Sequence, residues 1–255
     1  MKIATWNVNS IRVREDPVLD WLERYEPDVL CMQETKLSDQ EFPEDVFGDI
    51  DYDVVYHGQR SYNGVAIASR PELEDVTRGF PDVDDQEERR LISARVEGIR
   101  IVDIYLPNGQ GYGTDKFGFK LRWMEQLRDW LEDMLRSEAD LILCGDFNIA
   151  PGDLDHHWEP SPEPRLFTSP EERTRLQAIM DLGLEDAFRH LYPDQRIYTW
   201  WDYRGRDWQR DEGMRIDLTL VTPSILQRVR SVEIHRQERS GDNPSDHVPV
   251  LLELD

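Results

Sequence analysis

Lysine is nearly missing from this 255-residue chain: Lys2, Lys36, Lys116 and Lys120 are the only four among 30 basic side chains, which face 53 acidic ones for a formal charge of −23. Such an excess of carboxylates repels a phosphate polymer and argues against a partner held by bulk electrostatics. Cysteine is equally scarce. Cys31 in VLCMQ and Cys144 in LILCGD lie inside apolar runs, where a free thiol packs as a small hydrophobe. A disulfide framework is therefore not expected, and a reducing, cytoplasmic setting is. No run approaches the roughly 18–20 apolar residues of a membrane helix, and the opening MKIATWNVNS has neither the apolar stretch nor the cleavage site of an export signal. No membrane partner is expected. Ser/Gly linkers, low-complexity stretches and fixed-period repeats are absent, so residues 1–255 read as one domain. The sequence also has no GxxxxGK[ST] loop, no GxGxxG turn, no GxSxG elbow and no HExxH or CxxC spacing. Nucleotide-triphosphate hydrolysis, dinucleotide binding, nucleophile-elbow chemistry and structural zinc thus have no support.

The acidity is regional. Residues 26–97 carry 19 acids against 7 bases, whereas residues 196–240 carry 9 bases against 7 acids. A local positive face in the last third is compatible with these counts, as is a mixed solvated surface. Many acids with few lysines resemble surfaces adapted to concentrated salt, where a short Debye length mutes repulsion.

Eleven short runs rich in Val, Ile and aromatics are bounded by Gly, Pro, Asn or Asp: KIATWNV, DVLCMQE, YDVVYH, NGVAIAS, RLISARVE, IRIVDIYLP, LILCGDFN, IYTWWDY, MRIDLTLVT, RSVEIH and VPVLLEL. They read as strands. Helical spacing appears over residues 17–25, 119–135 and 170–180, clearest where Leu121, Met124, Leu127, Leu131 and Leu135 share a face. The Pro-rich run at 159–170 reads as a surface loop. That many strands exceed one ordinary sheet, so two stacked sheets with helices outside are expected.

Polar residues stand at the ends of these strands, where ligands bind in α/β folds. Alternation in KIATWNVNS puts Thr5, Asn7 and Asn9 on one side and Trp6 and Val8 on the other. Glu34 closes VLCMQE, Asp146 and Asn148 share a face in LILCGDFN, Asp217 interrupts MRIDLTLV, and Asp246 and His247 precede the last strand. Singly, each has a structural explanation as a cap, a turn residue or a satisfied histidine. Jointly they offer carboxylate and amide oxygens with one imidazole, a hard donor set suited to Mg²⁺ or Mn²⁺.

In order along the chain, TWNVNSIR, QETK, IYLPNG, GDFNIAP, YTWWDYR, RIDLTL and SDHVPV resemble the exodeoxyribonuclease III and apurinic/apyrimidinic (AP) endonuclease family of the exonuclease/endonuclease/phosphatase superfamily, over nearly the whole length. The resemblance implies a four-layer α/β sandwich, two mixed β-sheets packed face to face with helices outside. It implies a metal site drawn from Asn7, Glu34, Asp146, Asn148, Asp246 and His247, with Glu34 the principal ligand and Asp246 acting directly or through water. Asp146 would orient or deprotonate the attacking water, Asn148 would bond the scissile phosphate, Tyr105 would sit against the phosphate or leaving group, and Asp217 would orient His247. The implied activity is cleavage 5′ to abasic sites together with 3′-to-5′ exonucleolytic trimming of double-stranded DNA, by a monomer using Mg²⁺ or Mn²⁺.

Trp200, Trp201 and Met214 match positions around a pocket for a flipped-out abasic sugar, and flipping costs least where the base is already gone. Alternation would instead put one tryptophan in the core. Asn9, Arg12, Lys116, Lys120, Arg204 and Arg215 are candidate DNA contacts, with Arg204 to Arg215 ranked highest despite interleaved acids. A superfamily phosphoesterase acting on a small molecule or lipid head group is the alternative, sharing Asn7, Glu34, Asp146, Asn148 and His247. A binding module on a retired nuclease scaffold is a further one, opposed by the presence of every ligand.

Overall fold

Val- and Ile-rich runs too short for helices pair side by side and bury both faces. In a computed structural model, which describes residues 1–81, 88–159 and 161–255, the strands are β1 (Lys2–Asn7), β2 (Val29–Gln33), β3 (Asp53–His57), β4 (Val65–Ser69), β5 (Glu74–Arg78), β6 (Leu91–Val96), β7 (Ile99–Tyr105), β8 (Leu141–Asp146), β9 (Glu185–Asp186), β10 (Asp217–Val221), β11 (Val229–Ile234) and β12 (Val250–Leu254). The helices are α1 (Ile11–Tyr25), α2 (Glu44–Gly48), α3 (Asp115–Met134), α4 (Pro170–Met180), α5 (Ala187–Leu191), α6 (Asp207–Arg210) and α7 (Pro223–Leu226).

Two six-stranded sheets result, in the orders β11-β12-β1-β2-β4-β3 and β5-β6-β7-β8-β10-β9. Each holds one parallel pair at its centre, β1 with β2 and β7 with β8, among antiparallel neighbours, so both sheets are mixed as expected. Alternation divides each strand between two cores. Ile3, Cys31, Ile67, Ile101, Ile142 and Leu252 meet between the sheets. Ala4, Trp6, Leu30 and Met32 face outward beneath Trp21 and Leu22 of α1. On the other outer face Leu143 and Leu220 lie beneath Met124, Leu127 and Leu131 of α3 and Leu176 and Ile179 of α4. The layers are helix, sheet, sheet, helix.

Ten of the eleven apolar runs are strands. The eleventh, IYTWWDY, is not: Trp200 makes only isolated bridges, to Met214 and to His247, because Thr199 and Trp201 turn their backbone bonds to Met214 and Asp246 on different segments. β5 and β9 went unread, the first because its residues are mostly charged and half-exposed, the second because it has two residues. α1 begins six residues before Pro17, with a kink at Arg14, and α3 begins at a Thr114 cap whose hydroxyl accepts from Phe117 N at 3.2 Å. α4 has the expected bounds, set by the Ser169–Glu172 capping box. Of the Pro-rich run, residue 160 lies outside the described residues.

Candidate active site

Register alone gathers the site at one end of both sheets. Tyr105 lies opposite Asp146, and Asp146 opposite Asp217, on three adjacent strands. On the facing sheet Asn7 pairs with Gln33, placing Glu34 next to it. Thr5 pairs with Val250, so His247, three residues earlier, emerges at the same end. Gly145 is required beside Asp146: its φ is +138°, and any side chain there would overlap the Ile104 carbonyl.

The side chains interlock. Asn7 Nδ2 donates to Glu34 Oε1 at 2.9 Å and to Asp146 Oδ2 at 2.8 Å. Asn148, in a left-handed conformation (φ +50°), donates its backbone N–H to Asp146 Oδ1 at 2.9 Å. Its amide donates to the Leu106 carbonyl at 2.9 Å and accepts from Asn108 Nδ2 at 3.2 Å. His247 Nδ1 lies 3.0 and 2.9 Å from the two Asp217 oxygens, and its Nε2 lies 3.6 Å from Asp146 Oδ2. Lys36 Nζ sits 2.9 Å from Glu34 Oε2 and also bonds Asn9 Oδ1.

Charge and burial set the protonation. Burial pushes the Asp146 carboxyl up to about 7; His247 opposes this, while Asp217 and Glu34 add to it. Burial alone would lower His247, but Asp217, Asp146 and Asp246 outweigh it and raise the imidazole to about 10. The three carboxylates thus favour the imidazolium, in which both nitrogens are donors. Burial, with Glu34 and Asp146 nearby, raises Tyr105 well above the usual phenol range, so it is a neutral donor.

Ligand atoms of Glu34, Asp146 and His247 lie within 4.8 Å of one another. Crowded carboxylates that push a neighbour's proton affinity up are relieved by a cation, and two hard oxygens with room for water fit Mg²⁺ or Mn²⁺. Glu34 and Asp146 are the carboxylates that would hold it, with His247 beside them. Two more of the expected set, Asp246 and Asn7, carry hydrogen bonds of their own. Both Asp246 oxygens accept hydrogen bonds, from Asn9 Nδ2 at 2.8 Å and Trp200 Nε1 at 3.0 Å. Asn7 turns its nitrogen toward the carboxylates and its oxygen to Asn9 N.

The expected DNA contacts divide. Arg204 is 90% exposed and paired with Asp202, Arg12 is exposed beside Glu41, and exposed Lys116 borders a hollow with Arg90, Tyr105 and Asn108. Trp200 is half-buried and joins Met214, Ile216, Ala150 and Phe167 in an apolar cluster next to the carboxylates. Four expected contacts are interior instead, the first being Met214, buried within that cluster. Trp201 is fully buried, donating Nε1 to Asp211 at 3.1 Å and packing on Trp208, because adjacent side chains point opposite ways. Arg215 is sealed between Asp155 and Asp186. Lys120 is buried against Glu172. Asn108 and Lys36 were missed, although both lie in motifs singled out above, PNG and QETK.

Two mixed sheets face to face, with carboxylates, asparagines and an Asp–His pair at one edge, define a phosphoesterase scaffold. The chain belongs to the Endonuclease/Exonuclease/phosphatase family, which it matches over residues 4–247. It is 32% identical to exodeoxyribonuclease III of Haemophilus influenzae, covering 100% of both chains. Among solved structures, a 3′ phosphatase from Neisseria bound to a product DNA hairpin is 40% identical with a TM-score of 0.97, covering 100% of this chain and 99% of that one. An AP endonuclease from Archaeoglobus fulgidus is 39% identical with a TM-score of 0.95, covering 100% and 99%.

Proposed function

We propose that this chain is a divalent-cation-assisted DNA repair nuclease of the exodeoxyribonuclease III type, which hydrolyses the phosphodiester 5′ to abasic sites and trims 3′ ends of double-stranded DNA. The observation that carries the reading is the joint hold on Asp146, which receives Asn7 Nδ2 at 2.8 Å and Asn148 N at 2.9 Å beside the Asp217–His247 pair. When bound, Mg²⁺ or Mn²⁺ supplies charge neutralisation at the phosphoryl oxygens. Asp146, aimed by its two donors, takes the proton of the attacking water. His247 presents Nε2–H to a phosphoryl oxygen, and the neutral Tyr105 phenol, on the strand beside Asp146, donates toward the phosphate or leaving 3′-oxygen. The half-buried Trp200, packed on the buried Met214 and Ile216, supports selection of a sugar without a base, since a flipped abasic residue brings no polar ring to desolvate.

The test compares a duplex carrying one abasic site with a simple aryl phosphodiester, both with Mg²⁺, for wild type and Asp146→Asn. Turnover on the abasic duplex is expected to exceed that on the diester by orders of magnitude. The substitution is expected to lower kcat by about 10³-fold with duplex affinity within about threefold, because shape is kept and the base is lost. Equal turnover on the two substrates would move the assignment to a small-molecule phosphoesterase, and wild-type turnover in the variant would remove Asp146 from its role.

A further inference from the structure

We infer that Lys120 and Glu172, a fully buried ion pair behind the site, form a positioning unit that fixes Asn108 and Asn148 against the scissile phosphate. The inference rests on the phosphodiester-hydrolysis reading above. Both side chains have no solvent exposure, so Lys120 cannot meet DNA. All three ammonium donors are used: one on Glu172 Oε1, one on the Asn148 carbonyl at 2.7 Å and one on the Asn108 carbonyl at 3.4 Å. The carboxylate is equally satisfied, by Phe167 N at 3.1 Å, Ser169 N at 3.1 Å and Ser169 Oγ at 2.7 Å.

The two carbonyls belong to residues whose side chains bond each other at 3.2 Å, and one of them sends its N–H to Asp146. Asn148 stands in a left-handed conformation, which costs free energy unless its surroundings hold it. The ammonium grips that residue by the carbonyl on the other side from Asp146. Capping α4 does not explain the charge, because a neutral glutamine closes a capping box as well. Stability does not explain it either, since a buried ion pair is commonly no better than a neutral pair of the same shape. Holding two carbonyls from behind the site is what a cation does and a methylene chain does not.

The deciding variant is the near-isosteric neutral pair Lys120→Met with Glu172→Gln. It is expected to fold, with a melting temperature lowered by about 5–15 °C because the Asn108 and Asn148 carbonyls lose their donor. On an abasic duplex its kcat should fall about 10- to 100-fold while KM stays within about threefold, the signature of mispositioned groups. Exchange of the Asn148 amide proton should also quicken. A folded double variant with wild-type kcat, or one whose loss lies wholly in KM, overturns the inference. If that pair does not fold, Lys120→Arg decides: a planar guanidinium keeps the charge opposite Glu172 but not the ammonium's point of contact. Its kcat should fall at least about threefold, and wild-type kcat would again overturn the claim. Asp146→Asn measured alongside separates the two readings. If that variant turns over normally, the site assignment is wrong; if it is inactive while the double variant is fully active, only the positioning role is lost.

Discussion

His247 is buried, and burial alone would strip its proton; three carboxylates keep it. The sign of the resulting pH dependence follows. With the imidazole raised to about 10, activity that needs its Nε2–H is present through neutrality and is lost as pH rises through that value. Asp217, 2.9 Å from Nδ1, is the largest of the three attractions, so Asp217→Asn should move the alkaline limb of kcat down by at least about one pH unit and lower kcat at pH 8. An unshifted limb in a pH series of the variant would mean that another group sets it. Asp217, Asp146 and Glu34 were legible as residues because each interrupts or closes an apolar run, where a carboxylate needs a partner or a role; Asp103 does the same in β7 but is buried against Gln33 instead. Asn108 and Lys36 were not, since they sit in turns where polar residues are ordinary. Lys120 was misread by its charge alone. Its place in the Phe117, Lys120, Met124, Leu127 stripe of one helix face was the signal of burial, because a lysine in an apolar stripe must find a partner inside.

Among elements, the segment from Trp200 to Asp217 departs most from its sequence reading. Its arginines form a brace as well as an exposed face. Arg215 Nε bonds Asp155 at 2.7 Å, and its Nη2 lies 2.8 Å from Asp186 Oδ2 as an ion contact without hydrogen-bond alignment. Arg189 approaches the same Asp155 from α5. Burial would raise Asp155, yet the two guanidiniums hold it below the usual carboxylate range. The brace ties the turn after β8, the cap of α5 and the start of β10 together under the apolar cluster that holds Trp200 and Met214. Arg215→Met strands the buried Asp186, leaves Asp155 with Arg189 as its one guanidinium, and should cost about 3–5 kcal/mol of unfolding free energy in urea denaturation. Duplex affinity of the folded protein should be unchanged, and a loss of affinity without loss of stability would return Arg215 to the DNA surface. Strand periodicity was readable because alternating burial leaves a period of two. The Trp200–Trp201 segment has that period too, but it splits its backbone bonds between two other segments, a tertiary choice that no local pattern records.

At the scale of the molecule, part of the acidic excess behind the charge of −23 gathers away from the site. Strand pairing shows where the acids go. Ser69 pairs with Val29 and with Asp53, and Arg95 with Glu74 and Arg100, all at the sheet ends remote from Glu34 and Asp146. Exposed Glu26, Asp51, Asp53, Glu72, Glu74 and Glu97 therefore crowd the far pole, a strand's length or about two Debye lengths from the cation site at ordinary salt. The same crowding strains the fold by self-repulsion, which added ions screen. Raising KCl from about 0.05 M to about 1 M, where the Debye length falls to about 3 Å, should raise the melting temperature, with most of the gain below about 0.5 M. Neutralising the pole by Asp51→Asn, Asp53→Asn, Glu72→Gln and Glu74→Gln should reproduce much of that gain at low salt and flatten the salt response. Duplex binding should still weaken with salt, as phosphate contacts require, because the far pole does not touch the DNA face. A melting temperature indifferent to salt, or a quadruple variant as salt-responsive as wild type, would show that the acids are too dispersed in space to act together.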